Sequence, residues 1–393
     1  MGYYNVSRLV RQTKRREMKV LTIFNSANMG GIEKTLISYL KNTKSNDIEM
    51  YILCFYRGGA LENTFKELGI KFLYIKKTGL IFFDMIQLLF LIIKYKFDIV
   101  HSRFGYTSGG FVLASLLTNK KVFVSIHSNA PSSFKKYEKR KFLFVILGFH
   151  LKIHKYLTQR FATKIIGHSK SNLNENFPNW KSDPKFILIY NGVDFEELDR
   201  TNETREDLNH FIDKESFVIL NIGSFRTQKN HFFLINCFYS LKPVENNLKL
   251  VLVGSGSLMD EVKEKANQLG ISDLVFFAGF DPQTKKYFEN SDLFFLPSLN
   301  EGLANVLIEA QYKKLPICVS DIPPLYESGY KGYHKYYFNP EDIELTVGKL
   351  KEMIQLIREE KLNKTKNAAK EYVMNTFSID TMVSKLDELY RGN

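Results

Sequence analysis

The sequence predicts an α/β protein made of two successive halves, each built on a parallel sheet. Three observations carry that expectation. The chain has 393 residues, beyond the length at which one core usually stops growing. Short β-branched and aromatic runs alternate with helical patterns along it. The alternation then restarts after KFILIYNGVD (Lys185–Asp194), with no sequence repeat between the halves.

In the first half, KVLTIFN (Lys19–Asn25) reads as a strand that passes through the turn SANMGG into the helical IEKTLISYL. The strands MYILCFY, KFLYI, DIVHSR and KVFVSIHS follow, with helices at LENTFKELG, around residues 83–96 and at GGFVLASLL between them. In the second half, SFVILNIGSF, LKLVLVGSG, LVFFAGF, LFFLPS and PICVS are strands. They alternate with helices at HFFLINCFYSL, LMDEVKEKANQLG (ended by Gly270), TKKYFENS and ANVLIEAQYKK. From about Val347 the chain is helical and closes on the amphipathic DTMVSKLDELY. Strands and helices alternating at this spacing argue parallel sheets covered on both faces. Ligands then gather at the carboxyl ends of strands, and two facing sheets enclose a cleft.

Composition narrows the class. With 44% hydrophobic and 25% charged residues the chain is an ordinary soluble protein with enough apolar side chains for two cores. Its net charge of +13 suits nucleic acid, an anionic membrane surface or a phosphorylated substrate alike, and charge alone does not choose. No nucleic-acid-binding motif accompanies it, so nucleic acid is not an expected partner. Cys54, Cys237 and Cys318 stand in separate apolar stretches without CxxC spacing, as expected of reduced core thiols in a cytoplasmic protein. Residues 1–17 form a basic extension with no secretory apolar region behind it. No apolar run reaches the ~18–20 residues a bilayer span needs. The longest, MIQLLFLII (Met85–Ile93), is flanked by Asp84 and Lys94.

Residues that can carry chemistry cluster at strand ends. Gly30 and Gly31 lie between a strand and a helix start, where a backbone without Cβ can approach a phosphate; a plain turn has the same composition. VGSGS (Val253–Ser257) is equally ambiguous. In NIGSFRTQKNH (Asn221–His231), Arg226 and Lys229 precede a helix, as cations holding a diphosphate or as a solvated loop. NEGLANVLIEAQ (Asn300–Gln311) holds Glu301 and Glu309. If the helix runs from Glu301, ~100° and 1.5 Å per residue set the two carboxylates ~80° apart around its axis and ~12 Å along it. That separation suits the ribose and the sugar of a nucleotide-sugar, with free helix N–H groups facing the anionic bridge. The same acids also suit a helix dipole and a solvated face. His127 ends the strand VFVSI and His101 ends another, and nothing gathers the histidines into a metal-ligand set.

MGGIEK (Met29–Lys34), IHS around His127, HSKSN (His168–Asn172), YNGVD (Tyr190–Asp194), IGSFRTQKNH, LVGSGS, FAGF (Phe277–Phe280) and PSLNEGLANVLIEAQ occur in this order. Together they resemble the family 4 retaining glycosyltransferases of the GT-B type, over the whole chain after about Lys19. The resemblance is strongest to enzymes of bacterial capsule and exopolysaccharide clusters. It implies two Rossmann-like domains facing across a cleft: an acceptor-binding domain over residues 18–190, a nucleotide-sugar-binding domain over 191–375, and a C-terminal helix (376–393) packing back on the first. It also implies roles. Glu309 binds ribose hydroxyls, Glu301 the transferred sugar, and Lys229 the phosphate. Gly30 and Gly31 face the diphosphate, while backbone amides of Gly302, Leu303, Ala304 and Asn305 meet sugar and phosphates. His127 lies beside the reacting region and Phe280, in FAGF, borders the base. One departure stands out: where the family usually carries arginine this chain has Ser224, which leaves Arg226 to supply the cation.

The implied reaction moves a sugar, with retention and without a metal or other cofactor, from a UDP- or GDP-sugar to a glycan or lipid-linked acceptor. A nucleotide-sugar epimerase of the same fold and a non-catalytic sugar-nucleotide sensor are the alternatives. A lipid-linked acceptor implies a cytoplasmic enzyme held peripherally at the inner face of an anionic membrane. The stretch Phe134–Lys164 has the composition for that contact, with nine cations against the single acid Glu138 around the apolar FLFVILGF.

Overall fold

The computed structural model describes residues 17–392 apart from 29–30, 77, 79–80, 128–140, 201–203, 244 and 246. The expectation for the basic extension 1–17 therefore lies outside the described residues save for Glu17, as do Gly30 and the start of Phe134–Lys164.

Among the described residues, twelve strands form two sheets. They are β1 (Met18–Ile23), β2 (Ile48–Cys54), β3 (Lys71–Tyr74), β4 (Ile99–Ser102), β5 (Lys121–Ile126), β6 (Lys164–Gly167), β7 (Phe186–Leu188), β8 (Phe217–Ile222), β9 (Leu248–Val253), β10 (Val275–Gly279), β11 (Leu293–Leu296) and β12 (Ile317–Val319). The first sheet runs β3-β2-β1-β4-β5-β6-β7 and the second β10-β9-β8-β11-β12. Every strand pair with a described register is parallel. Strands buried on both faces should read as continuous apolar runs, and β8 does: all of FVILNI is buried. β6, the short KIIG, is a strand the sequence pattern did not single out, because four residues behind a long helix carry little periodicity.

The described residues of 1–33, 43–124 and 141–164 form one compact unit; those of 34–42, 125–140 and 165–393 form the other. In the first, the helices Ile81–Tyr95, Gly109–Leu117 and Lys141–Phe161 pack side by side in that order, the middle one against β4. The last two are locked by His154, whose Nδ1 accepts from the backbone N–H of Gly109 at 3.0 Å, so burial leaves that ring neutral and depressed to about 4.

In the second unit, the core is built from β8 to β12 and the helices His231–Leu241, Met259–Gln268 and Ile343–Arg358. Its terminal helix, Ile379–Arg391, starts at the N-cap Ser378, whose hydroxyl accepts from Thr381 N–H. That helix is tied down by Val193, whose carbonyl accepts from Ile379 N–H at 3.0 Å, and by Tyr39, whose hydroxyl donates to Asp387 at 2.6 Å.

The order of the second sheet reverses direction between β8 and β11. Loops leaving the carboxyl ends of two parallel strands on either side of such a reversal diverge and leave a crevice between them. The loops after β8 and β11 are the ones that carry Lys229 and Glu301.

Candidate active site

The loop after β8 is shaped by its main chain. Phe225 N–H donates to Ser255 O at 3.0 Å, Gly223 N–H to Val253 O at 2.9 Å, and Leu258 N–H to Phe225 O at 3.1 Å. These bonds press the loop against the turn Gly254–Ser257. Gly254 has φ +146, and a Cβ there would stand 2.0 Å from Gly223 O; one on Gly256 would stand 2.4 Å from Phe225 O. VGSGS thus serves as a close-packed support for the neighbouring loop. Phe225 is fully buried and stacks on His231 at 4.1 Å and 12°. Asn230 then takes a left-handed conformation (φ 55) and turns the chain into the helix His231–Leu241. Burial, with Lys229 beside it, lowers His231 to about 4 and keeps that ring neutral.

Lys229 returns across the loop. A Cβ at Gly223 would meet its Cδ, Cγ and Cε at 3.3 to 3.5 Å, so the bare glycine makes room for the lysine stem. Its ammonium reaches Glu301, Nζ to Oε1 at 2.5 Å, and Ser298 Oγ donates to the same oxygen at 2.6 Å. Ser298 is fully buried and the Glu301 side chain is 9% exposed. Leu299 N–H bonds Gln228 O at 2.8 Å and joins the two loops directly.

Glu301 stands outside the helix it was expected to open. The helix is Asn305–Tyr312, and Ala304 before it has φ −81 and ψ 83. The ~80° and ~12 Å relation between Glu301 and Glu309, which assumes a helix from Glu301 onward, therefore does not hold. The chain must turn after β11 before it can coil, and Gly302 to Ala304 make that turn. Ala304 offers no side-chain cap, so the first N–H groups of the helix keep no side-chain acceptor from that position. Glu309, the fifth residue of that helix, is half-buried, and burial pushes its carboxyl up to about 7, against the pull of Lys34.

His127, Lys229, Arg226, Glu301 and Gly302 line one cavity of about 280 Å³. Asn172, Ser224, Gln228 and Asn300 complete its wall. His127 stacks on His168 at 4.2 Å and 15°, and His168 Nδ1 donates to Ile189 O at 2.8 Å. Because a carbonyl only accepts, that bond fixes the proton of His168 on Nδ1. Asn172 sits in the helix Lys170–Asn176, whose N-cap Ser169 accepts from its N–H. Glu327 accepts from Lys170 N–H at 2.5 Å and Ser171 N–H at 3.1 Å, which holds the start of this helix.

Of the remaining residues expected in the site, Leu303, Ala304, Asn305 and Glu309 are not on the wall of this cavity. Phe280 is also away from that wall, 60% exposed after β10. The strand end before it is braced by Arg205, which donates to Ala278 O and to Tyr287. Gly31 is the first residue of the helix Gly31–Asn42, and Gly30 lies outside the described residues.

Residues 29–197 match the profile "Glycosyltransferase Family 4" and residues 202–372 match "Glycosyl transferases group 1". The chain belongs to glycosyltransferase family 4. This glycosyltransferase is 27% identical to the capsular polysaccharide biosynthesis glycosyltransferase CapH of Staphylococcus aureus, over 78% of its own length and 82% of CapH. It is 33% identical, over 42% of its length, to the Campylobacter jejuni N-acetylgalactosamine-N,N'-diacetylbacillosaminyl-diphospho-undecaprenol 4-alpha-N-acetylgalactosaminyltransferase. The chain spans about half the length of that relative (43%) and of a Methanocaldococcus jannaschii glycosyltransferase (48%, 30% identical). Among solved structures, it superposes on Anabaena HepE in complex with UDP with a TM-score of 0.76 at 17% identity, covering 96% of this chain and 100% of HepE. A Rickettsia africae glycosyltransferase gives 0.76 at 22%, over 95% and 98%. These likenesses establish the GT-B fold of the family 4 glycosyltransferase.

Ser298, Asn172, Gln228 and Asn300 are the wall and support residues that motif reading passed over. Each lies within a quoted motif, and only the pairing of Ser298 with Glu301 shows what such a residue does.

Proposed function

We propose that this glycosyltransferase moves a sugar, with retention of anomeric configuration, from a UDP-sugar to a lipid-linked glycan acceptor during surface-polysaccharide assembly. The observation that carries the reading is the convergence of Lys229, Arg226, Glu301 and His127 on one cavity at the reversal point of the second sheet. Two relatives support the acceptor class, since the Campylobacter protein and an Escherichia coli UDP-galactose transferase are both named for diphosphoundecaprenol-linked acceptors. HepE, solved with UDP and with UDP-glucose, supports the donor class.

On this reading the donor diphosphate takes the Lys229 ammonium from Glu301, and the released carboxylate accepts from sugar hydroxyls. The bond from C1 to the β-phosphate oxygen breaks, and charge builds on the departing UDP. Lys229, Arg226 and the dipole at the N-terminus of the helix Asn305–Tyr312 stabilise that charge where it develops. The acceptor hydroxyl bonds to C1 on the face the phosphate leaves, and its proton passes to the departing phosphate oxygen. Fixed cations do the work of a metal, so activity should persist in EDTA. Glu309 binds the ribose hydroxyls. The enzyme works in the cytoplasm, at the inner face of the membrane that holds its acceptor.

A panel of labelled UDP- and GDP-sugars on the purified protein tests the reading. Slow hydrolysis of one UDP-sugar without acceptor, releasing sugar and UDP, is expected. Conversion of the sugar to its epimer, or binding without turnover with any donor or acceptor, would sink it.

A further inference from the structure

The cavity has two walls that face each other closely. His127 and Asn172 stand on one, Glu301 and Gly302 on the other, and a Cβ on Gly302 would lie 3.9 Å from His127 O. The first wall is carried by residues 168–176, because His168 stacks on His127 and Asn172 lies in the helix Lys170–Asn176. The second wall runs on into the helix Asn305–Tyr312.

Behind the cavity a chain of hydrogen bonds joins the two. Gln311, fully buried in the helix Asn305–Tyr312, donates from Nε2 to Ser328 O at 2.9 Å, and its Oε1 accepts from Tyr330 N–H at 2.6 Å. These bonds fasten the end of the helix Pro323–Ser328, where the Tyr337 hydroxyl also donates to Leu325 O at 3.0 Å. Glu327 projects from that helix to the first wall. One carboxylate oxygen accepts from Lys170 N–H at 2.5 Å and the other from Ser171 N–H at 3.1 Å. The Tyr372 hydroxyl donates to Glu327 O at 2.6 Å. Burial and the Glu327 carboxylate push the Tyr190 hydroxyl up, so it keeps its proton beside the acid.

A helix cap alone does not account for this carboxylate. Ser169 already caps the helix, accepting from Asn172 N–H at 3.1 Å. Glu327 comes from 156 residues further along the chain than Ser171, and two adjacent N–H groups held one to each oxygen fix the helix in rotation as well as position. We propose that Glu327 is a positioning residue for sugar transfer, holding the wall of His127 and Asn172 at a set distance from the wall of Glu301. The proposal rests on the transferase reading. Cutting the chain of bonds at Glu327 frees the His127 wall and leaves the Glu301 wall tied to its own helix. Loss of Glu327 therefore slows transfer without weakening the hold on the donor phosphates by Lys229 and Arg226. Misplacing a reacting group by an ångström costs on the order of 100-fold in rate.

Glu327→Ala removes both acceptor oxygens and Glu327→Gln keeps one. Steady-state transfer, UDP calorimetry and NMR of protein with 13C-labelled histidine rings, all below the melting temperature of each variant, test the proposal. Turnover should fall at least ~10-fold in Glu327→Ala and ~3-fold in Glu327→Gln, with UDP affinity within ~2-fold of wild type. The ring signals of His127 and His168 should shift in both variants as the stack loosens. If Glu327→Ala does not fold, Glu327→Gln decides by the same readouts. A folded variant that melts lower but keeps wild-type kcat, or whose ring signals stay in place, would overturn the proposal and leave Glu327 as a cap. So would a UDP affinity that weakens as much as kcat falls, since the donor wall would then have moved too. Ring signals that shift on substitution in a protein whose wild type turns over no donor would leave the positioning standing and remove the transferase reading instead.

Discussion

Lys229 and Glu301, 72 residues apart in sequence, meet at 2.5 Å, and Ser298 closes the other side of the same carboxylate oxygen at 2.6 Å. Without donor, the group expected to hold phosphate neutralises the group expected to hold sugar. Removing either partner leaves the other charge poorly solvated. Lys229→Met and Glu301→Gln should each cost about 2 kcal/mol of stability. The double variant should lose less than the sum, by ~0.5–3 kcal/mol. Thermal melts of the four proteins check this, and full additivity would mean the pair is not coupled. In donor assays Glu301→Gln should lower turnover more than 10-fold.

Ser298→Ala removes a hydrogen bond to a charged group, worth ~1.5–3 kcal/mol. Since Lys229 still reaches Glu301, the fold should survive. The carboxylate loses its fixed orientation, so kcat should fall about 10-fold while the donor KM changes less than 3-fold. Steady-state kinetics with varied donor separates this from a binding defect, which would raise KM alone.

Glu309 makes donor affinity depend on pH. Its carboxyl is raised to about 7, so the folded state binds its proton more tightly than the unfolded chain does. Stability from that neutral form is complete below the ordinary value of 4.5 and is lost as pH rises through about 7. The ionised form is the better acceptor for two ribose hydroxyls. UDP affinity of the wild type should therefore rise between pH 6 and 8, whereas Glu309→Gln should bind UDP more weakly with a flat profile. Calorimetry across that range decides it; a wild-type profile as flat as the variant's would remove Glu309 from the ribose site.

Gly223→Ala probes how Lys229 is placed. The added methyl would stand 3.3 Å from Lys229 Cδ, close enough to shift a flexible stem without unfolding the loop. The expected outcome is a donor KM raised roughly 3- to 10-fold with an unchanged melting temperature. Loss of folded protein would show that the loop, and not the lysine, needs the glycine.

The helices and strands were legible because each carries its own periodicity: GGFVLASLL is the helix Gly109–Leu117, and the buried FVILNI is the central strand of its sheet. Arg226, Lys229, Glu301 and His127 were legible as charged or titratable residues at strand ends, and the cavity gathers all four. What could not be read is how far a loop runs before a helix begins. NEGLANVLIEAQ contains good helix formers from Leu303 onward, yet Ala304 is non-helical because the chain has to turn off β11 first. The contact of Ser298 with Glu301 follows from that turn and has no signature of its own. VGSGS was ambiguous between a phosphate loop and a plain turn because glycine marks any close backbone approach, whether the neighbour is a ligand or, as here, the carbonyl of Gly223.

That approach has a consequence for divergence among related enzymes. Because Gly254 and Gly256 press directly on the main chain of residues 223–225, the cradle is shaped there by backbone contacts and not by the side chain at position 224. A route that exchanges serine for arginine there, or shifts a cation to position 226, leaves those backbone contacts in place. Substitution at 254 or 256 closes that route, since any Cβ collides with backbone. Mutational tolerance is thus divided between two adjacent loops: the side chain at 224 is not held by the backbone packing that fixes glycine at 254 and 256.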